Sequence, residues 1–291
     1  MTATWFFKSR GPHANEDYTW HAAGAGDRAS ADEIIERGYR ERPCFALVDD
    51  ERPGMLLFHD QRHRLVLLVT GLIPADRPVD YRQRPIRVSL LGIASREDEP
   101  ACRGLVAVAV QALRDEVNAN LPIRYGTGAA GEGFEVDATA WPELVASAAE
   151  HLSARAETSA DPEKSYIGPD TEEYRLKIAE KLAALYLRTG PQMLDGRIVV
   201  LRTDVLDKTE IGHLRPWRTL SSITDRQYAL NPPQPGLFGL TGAVTGAAKV
   251  VKTTVEVVES IRRPRLLLGL FGALVLIGGA IAVVVAIANG Q

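Results

Sequence analysis

The longest apolar stretch of the chain, residues 266–288, constrains its architecture most, because 23 successive residues there carry no charged side chain. As a helix this stretch is roughly 34 Å long, and the hydrocarbon core of a bilayer is about 30 Å thick. Arg262, Arg263 and Arg265 precede it directly, and such a basic collar favours the cytoplasmic side. The sequence therefore predicts a tail-anchored, single-pass protein of the cell inner membrane, with its amino-terminal body in the cytoplasm.

Small side chains recur on the faces of this predicted transmembrane helix. Gly269 and Ala273 stand four residues apart, as do Gly278 and Ala282. Small residues at this spacing let helices approach closely in lipid, where packing rather than hydrophobicity drives association. The spacing predicts contacts between copies of the helix and makes a homo-oligomer one of the expected assemblies.

Two segments separate the predicted transmembrane helix from the rest of the chain. Residues 231–236, Asn-Pro-Pro-Gln-Pro-Gly, predict a stiff and extended linker. Residues 237–263 combine valines with lysines and glutamates, which predicts an amphipathic juxtamembrane helix on the membrane surface or against another copy.

The charge and the cysteine content exclude several classes of partner. The net charge is −3, and setting aside the three arginines of the collar leaves −6 for residues 1–261. A nucleic-acid-binding protein usually has a basic face, so no nucleic acid is expected as a partner. Cys44 and Cys102 lack histidines at the spacing of a structural zinc site. We expect no metal and no cofactor, and we expect both thiols in the core.

The spacing of apolar residues predicts the fold class. From residue 97 they follow helical spacing, with an acidic first turn at residues 97–100 and a second helix from about Pro142. Before that, short apolar runs separated by turn residues predict strands at residues 5–8, 18–22, 45–48, 55–58, 64–70 and 86–93. This order predicts an α+β domain over residues 1–155, a largely antiparallel sheet with helices packed on one face.

Residues 156–230 predict a helix–strand extension of this domain. Residues 156–169 are polar and contain two prolines and a glycine, which is typical of a linker. A helix follows from about Asp170, and then a strand at residues 197–201. The extension is either a separate unit or a completion of the first domain's sheet.

Individual motifs do not identify a catalytic residue. Residues 126–131 match G-x-G-x-x-G, but a strand rather than a helix is expected after them, which favours a loop over a dinucleotide site. His59 and His63 are candidates for a metal ligand or a base, although a polar hairpin turn around Asp60 is the favoured interpretation. The sequence contains no nucleophile elbow, P-loop, kinase signature or paired-carboxylate motif.

Two basic clusters are the candidate binding sites. In the first, Arg82 and Arg84 point the same way on an extended chain and can form a fork for a phosphate or carboxylate. The candidate anion-binding residues are Arg77, Arg82, Arg84 and Arg87. The second cluster mixes basic and aromatic residues, which are enriched at protein interfaces, unless its tryptophan anchors a loop to the core. The candidate partner-binding residues are His213, Arg215, Trp217 and Arg218.

Together these features favour a membrane-tethered binding protein over an enzyme. As an adaptor or sensor, it would bring a protein partner to the lipid bilayer, where confinement raises the effective concentration. One alternative is a membrane-perturbing effector of a bacterial defence-type system that oligomerises through its transmembrane helix, an analogy of architecture alone. The other alternative is a membrane-anchored enzyme whose active site is scattered around Cys44, His59 and the arginine run.

Overall fold

The computed structural model describes residues 3–9, 18–24, 26–75, 77–80, 83–125, 134–155, 158 and 160–230. All of them belong to one compact unit, Met1–Pro233, and a second unit comprises Gln234–Gln291. None of the helices within the described ranges is both long enough and apolar enough to cross a bilayer. The predicted linker, juxtamembrane segment, arginine collar and transmembrane helix, with Gly269, Ala273, Gly278 and Ala282, lie outside the described residues.

The described part of the chain is a mixed α+β structure with a large sheet and five helices. Its strands are β1 (Thr4–Ser9), β2 (Thr19–Ala22), β3 (Gly54–His59), β4 (Arg64–Leu72), β5 (Val88–Ser95), β6 (Ile123–Tyr125), β7 (Phe134–Val136), β8 (Tyr166–Pro169), β9 (Ile198–Thr203), β10 (Arg218–Ser221) and β11 (Tyr228–Ala229). Its helices are α1 (Arg28–Arg37), α2 (Glu99–Leu113), α3 (Ala140–Glu150), α4 (Glu172–Thr189) and α5 (Lys208–Leu214).

Nine of the strands form one sheet, in the order β11-β8-β10-β9-β3-β4-β5-β1-β2, and β6 pairs with β7 in a separate hairpin. Strands β8, β10 and β9 are parallel to one another. The other neighbours in the large sheet are antiparallel, including β3 with β9. The strands after residue 156 therefore extend the sheet that the first 95 residues begin.

Helices cover both faces of this sheet. On β3, Met55 and Leu57 belong to one core cluster, which also contains buried residues of α2, α3 and α4. Leu56 and Phe58 belong to the other cluster, which contains buried residues of α1 and α5. The expectation that the helices pack on one face is therefore wrong for this chain.

The sequence of the central strands indicates that helices cover both faces of the sheet. Every residue of β3 is buried, and so is every residue of β4 after Arg64. A strand that buries both faces consists of continuous apolar residues, whereas a strand with one wet face alternates apolar and polar residues. The uninterrupted runs in β3 and β4 thus indicate helices above and below the sheet.

The two ends of the strands form two rims with different residues. The carboxyl-terminal rim is where the parallel strands end, at Pro169, Thr203 and Ser221. The amino-terminal rim is the opposite end, and strand pairing places the beginning of β1 there, since Thr4 lies beside Ile93 near the end of β5. Residues at these two rims are the candidates for function.

Candidate functional site

Four charged side chains form a closed network at the carboxyl-terminal rim. Asp170, directly after β8, accepts from Arg202 Nε at 2.7 Å and from Arg175 Nη1 at 3.0 Å. Asp115, after α2, accepts from Arg175 Nη2 at 2.8 Å and from Arg202 Nη1 at 3.5 Å. The network therefore joins β8 and β9 to α4 and to the end of α2.

The two arginines of this network are already engaged with carboxylates of the chain itself. The side chains of Arg175 and Arg202 are 14 % and 12 % exposed, and that of Asp170 is 20 % exposed. Ion pairs that are largely withdrawn from water are screened little, and breaking one by removing a partner is costly. The network is therefore a structural clamp rather than an open site for an anion.

The predicted anion-binding arginines do not form one site among the described residues. Arg84 bonds through its Nε to Asp80 at 2.8 Å, and Arg87 bonds through its Nε to the carbonyl of Glu51 at 3.1 Å. Arg77 is half-buried, and Arg82 lies outside the described residues. The fork predicted for Arg82 and Arg84 therefore stays a prediction, and Arg84 already holds a carboxylate.

The pairing of Arg84 with Asp80 belongs to a turn that the chain uses twice. In both turns an aspartate carboxylate accepts hydrogen bonds from the backbone amide and from the Nε of the arginine four residues later. The two pairs are Asp60 with Arg64 and Asp80 with Arg84. In both, the residue before the arginine, His63 or Gln83, has a positive φ of 57° or 62°. These arginines therefore close loops, and the polar turn expected around Asp60 is observed.

The predicted partner-binding cluster divides between core and surface. His213 and Arg215 are exposed, whereas Trp217 and Arg218 are buried. Trp217 Nε1 donates to the carbonyl of Asp161 at 2.8 Å, and the Arg218 guanidinium lies 4.0 Å from the centre of the Trp217 ring. Burial lowers the pKa of Arg218 to about 10. Half of the cluster thus anchors the loop before β8, and the four side chains do not share one surface.

The residues suggested for a scattered active site lack the arrangement of a nucleophile and base. Burial raises the pKa of both the Cys44 and the Cys102 thiol to about 12, so both are protonated at neutral pH. The Cys44 thiol donates to the carbonyl of Ile34 at 3.7 Å, and His59 is buried with Nε2 bonded to the carbonyl of Met193 at 3.0 Å. Within the described ranges, no three histidine, cysteine or carboxylate side chains are placed to hold a metal ion.

An open cleft of about 510 Å³ lies at the amino-terminal rim, between β1, the end of β2, and helices α2 and α3. We call it the α2–α3 cleft. Its walls consist mostly of small or apolar residues, with charged groups contributed by two glutamates and one arginine. The residues used below are Trp5, Glu99, Arg103, Ala146, Ala149 and Glu150.

Close packing behind the cleft fixes its aromatic wall. The ring of Trp5 covers Gly92, where an added Cβ would lie 2.4 Å from Trp5 Cζ3. The ring of Trp141 meets the Trp5 ring edge-on, with 5.3 Å between the centroids. Because Trp5 is held on both sides, the cleft is pre-formed at this wall, as ligand pockets usually are.

The charged side chains of the cleft differ in how many hydrogen bonds they make within the protein. Arg103 donates from Nε to the carbonyl of Ala149 at 2.9 Å and from Nη2 to the carbonyl of Leu152 at 3.5 Å. Glu99 accepts from the Tyr186 hydroxyl at 3.2 Å. Glu150 is exposed and makes no ion pair within the described part of the chain. The cleft therefore offers an apolar body and carboxylates at its borders.

Sequence reasoning did not identify the residues of this cleft. They come from separate segments, residues 3–5, 23–24, 99–104 and 138–150, and a single sequence does not show that these segments meet. The available signal was the run of alanines on α3 around Ala146 and Ala149, since a core-facing helix position normally carries a larger apolar side chain.

No family model, curated protein or solved structure matches this chain. Function must therefore be inferred from the residues and their geometry.

Proposed function

We propose that this protein is a membrane-tethered sensor whose folded body binds a small molecule in the α2–α3 cleft, while residues 266–288 hold it on the membrane. The cleft is the observation that carries the proposal. Its volume of about 510 Å³ falls within the range of roughly 300–1,000 Å³ that is usual for small-molecule sites. Its apolar lining with a few polar groups is also typical of such sites.

The position of the cleft supports sensing, because a ligand there contacts separate parts of the fold. Trp5 belongs to the sheet, Arg103 to α2, and Ala146 to α3. A ligand that binds only when these elements are docked stabilises the docked arrangement by mass action. Occupancy of the cleft would thereby be converted into a change in how firmly α3 is held.

The test measures binding of an uncharged aromatic probe to the full chain in nanodiscs of zwitterionic phosphatidylcholine. The probe is a fluorinated naphthyl alcohol, observed by ¹⁹F NMR, with empty nanodiscs as the blank. From the usual binding free energy per non-hydrogen atom of a small ligand, we expect a dissociation constant on the order of 0.1–1 mM.

Two variants on α3 make the test specific. Ala146→Trp fills the cleft and should weaken binding by about tenfold or more, because the probe and the indole compete for one volume. The exposed neighbour Ser147 does not line the cleft, so Ser147→Trp should bind the probe as the unaltered chain does. Equal binding by both variants, or binding no greater than that of empty nanodiscs, would refute the proposal.

A further inference from the structure

We infer that the α2–α3 cleft selects a cation, namely an apolar molecule that carries one ammonium group. This inference rests on the proposed function, because it concerns the ligand of the same cleft. Three charged side chains contribute to the lining, Glu99, Glu150 and Arg103. The cleft favours a ligand of opposite charge to the side chains that are not already bonded within the protein.

The positive charge of Arg103 is committed to the end of α3. Its guanidinium bonds the carbonyls of Ala149 and Leu152, in the last turn of α3 and just beyond it. The carboxyl end of a helix carries unpaired carbonyls and a partial negative charge, so a cation there is stabilised by the helix itself. An anionic ligand would have to draw Arg103 away from these carbonyls.

The negative charges of the cleft are less engaged. Glu99 accepts one hydrogen bond from the neutral hydroxyl of Tyr186 and lies in the first turn of α2, near the positive end of that helix, but it has no cationic side chain bonded to it among the described residues. Glu150 is exposed at the end of α3 and has no ion pair among the described residues. Two carboxylates therefore border the cleft, and an ammonium group could approach either one without displacing an internal partner.

The aromatic wall adds apolar contact for the body of the ligand. Trp5 lines the cleft and its ring is held in place by Gly92 and Trp141. Trp5 is only 4 % exposed, so it adds a small apolar contact rather than an open ring face for a cation. An apolar ammonium compound gains contact with both the apolar lining and the carboxylates, whereas a carboxylate compound gains contact with the apolar lining alone.

The test compares three fluorinated naphthyl probes of one size that end in an ammonium group, a hydroxyl group or a carboxylate. They are titrated by ¹⁹F NMR into the full chain in the same zwitterionic nanodiscs, at low ionic strength. We expect the ammonium probe to bind about threefold to fivefold more tightly than the hydroxyl probe, as for a largely exposed ion pair. The carboxylate probe should bind more weakly than both.

Two charge-neutralising variants assign the preference to the cleft. The preference is the ratio of the dissociation constants of the hydroxyl and ammonium probes, and Glu150→Gln should reduce this ratio by about half or more. Glu143 lies in the first turn of the same helix and does not line the cleft, so Glu143→Gln should keep the full preference.

The outcomes separate the two proposals. If the hydroxyl probe binds but the ammonium probe binds no better, the charge inference is overturned and the small-molecule site stands. If the carboxylate probe binds most tightly, Arg103 is the anchor and the sign of the inference is wrong. If no probe binds above the empty-nanodisc blank, the site and the inference both fail.

Discussion

Replacing Asp170 by asparagine should destabilise the folded unit strongly, because this carboxylate holds two guanidinium groups at once. It accepts from Arg202 Nε at 2.7 Å and from Arg175 Nη1 at 3.0 Å. Asparagine has almost the same volume, but it removes the charge and replaces one acceptor oxygen with a donor that faces a cation. The change therefore isolates electrostatics from packing.

The expected loss is about 3 kcal/mol in the free energy of unfolding. A hydrogen bond to a charged group contributes about 1.5–3 kcal/mol; asparagine loses one of the two bonds outright, and the acceptor of the other loses its negative charge. Breaking a buried ion pair by removing one partner costs about 3–5 kcal/mol. We expect the lower end of this range, because Asp115 still bonds both arginines and the side chain of Asp170 is 20 % exposed.

The matched control is Asp204→Asn, which breaks a pair of the same chemistry in a more exposed place. Arg52 Nη1 lies 2.8 Å from Asp204 Oδ2, but the Arg52 side chain is 68 % exposed, compared with 12 % for Arg202. Exposed ion pairs contribute little and are screened by salt, so this loss should be far smaller than that of Asp170→Asn and should shrink further in high salt.

Urea unfolding of the full chain in mild non-ionic detergent, followed by tryptophan fluorescence, measures both losses. All four tryptophans of the chain lie within the described unit, so the signal reports on that unit alone. Adding Arg202→Met to Asp170→Asn should recover part of the loss, because it removes a guanidinium that keeps only its 3.5 Å contact with Asp115. Equal losses for the Asp170 and Asp204 variants would refute the reasoning that burial sets the strength of these pairs.

Three further outcomes are expected. The free energy of unfolding should fall between pH 7.5 and 5.5, because burial lowers the pKa of His59 and the unfolded chain therefore gains this proton at a higher pH than the folded chain. Urea titrations at both pH values measure this change, and His59→Asn should flatten it. Gly92→Ala should cost about 1–3 kcal/mol by the same assay, because its Cβ would overlap the Trp5 ring. Deleting residues 266–288 should move the chain from the carbonate-resistant membrane fraction into the supernatant; a full chain found in the supernatant would contradict the anchor.

The antiparallel half of the sheet was predictable because its signal is local. The runs predicted at residues 55–58 and 64–70 correspond to β3 and β4, and the run at residues 86–93 corresponds to β5. The run at residues 45–48 is not a strand, because the chain makes a short helical turn at Cys44–Ala46 directly after Pro43. Four apolar residues do not distinguish a strand from a helical turn by periodicity.

In the parallel half, the strand predicted at residues 197–201 corresponds to β9, whereas β8 and β10 were not predicted, because they are short and owe their burial to their neighbours. Strand β8, Tyr166–Pro169, contains a glycine and a proline and lies within the segment expected to be a linker. Strand β10 contains Thr219 and Ser221, which are fully buried between β8 and β9 although their side chains are polar. Strand propensity measures packing against adjacent strands, and a single sequence does not show which strands are adjacent.

The two rims of the sheet differ in how accessible they are to a ligand. Open sheets with parallel strands usually bind ligands beyond the carboxyl ends of those strands. Here Asp170 and Arg202 occupy that position and are bonded to each other, so a ligand would have to separate charges that are mostly withdrawn from water. At the amino-terminal rim, small residues such as Ala146 leave a cleft, and the carboxylate of Glu150 has no internal counter-ion within the described residues. A ligand there gains contacts without breaking an ion pair between described residues, and this is the physical reason to propose a binding site at this rim.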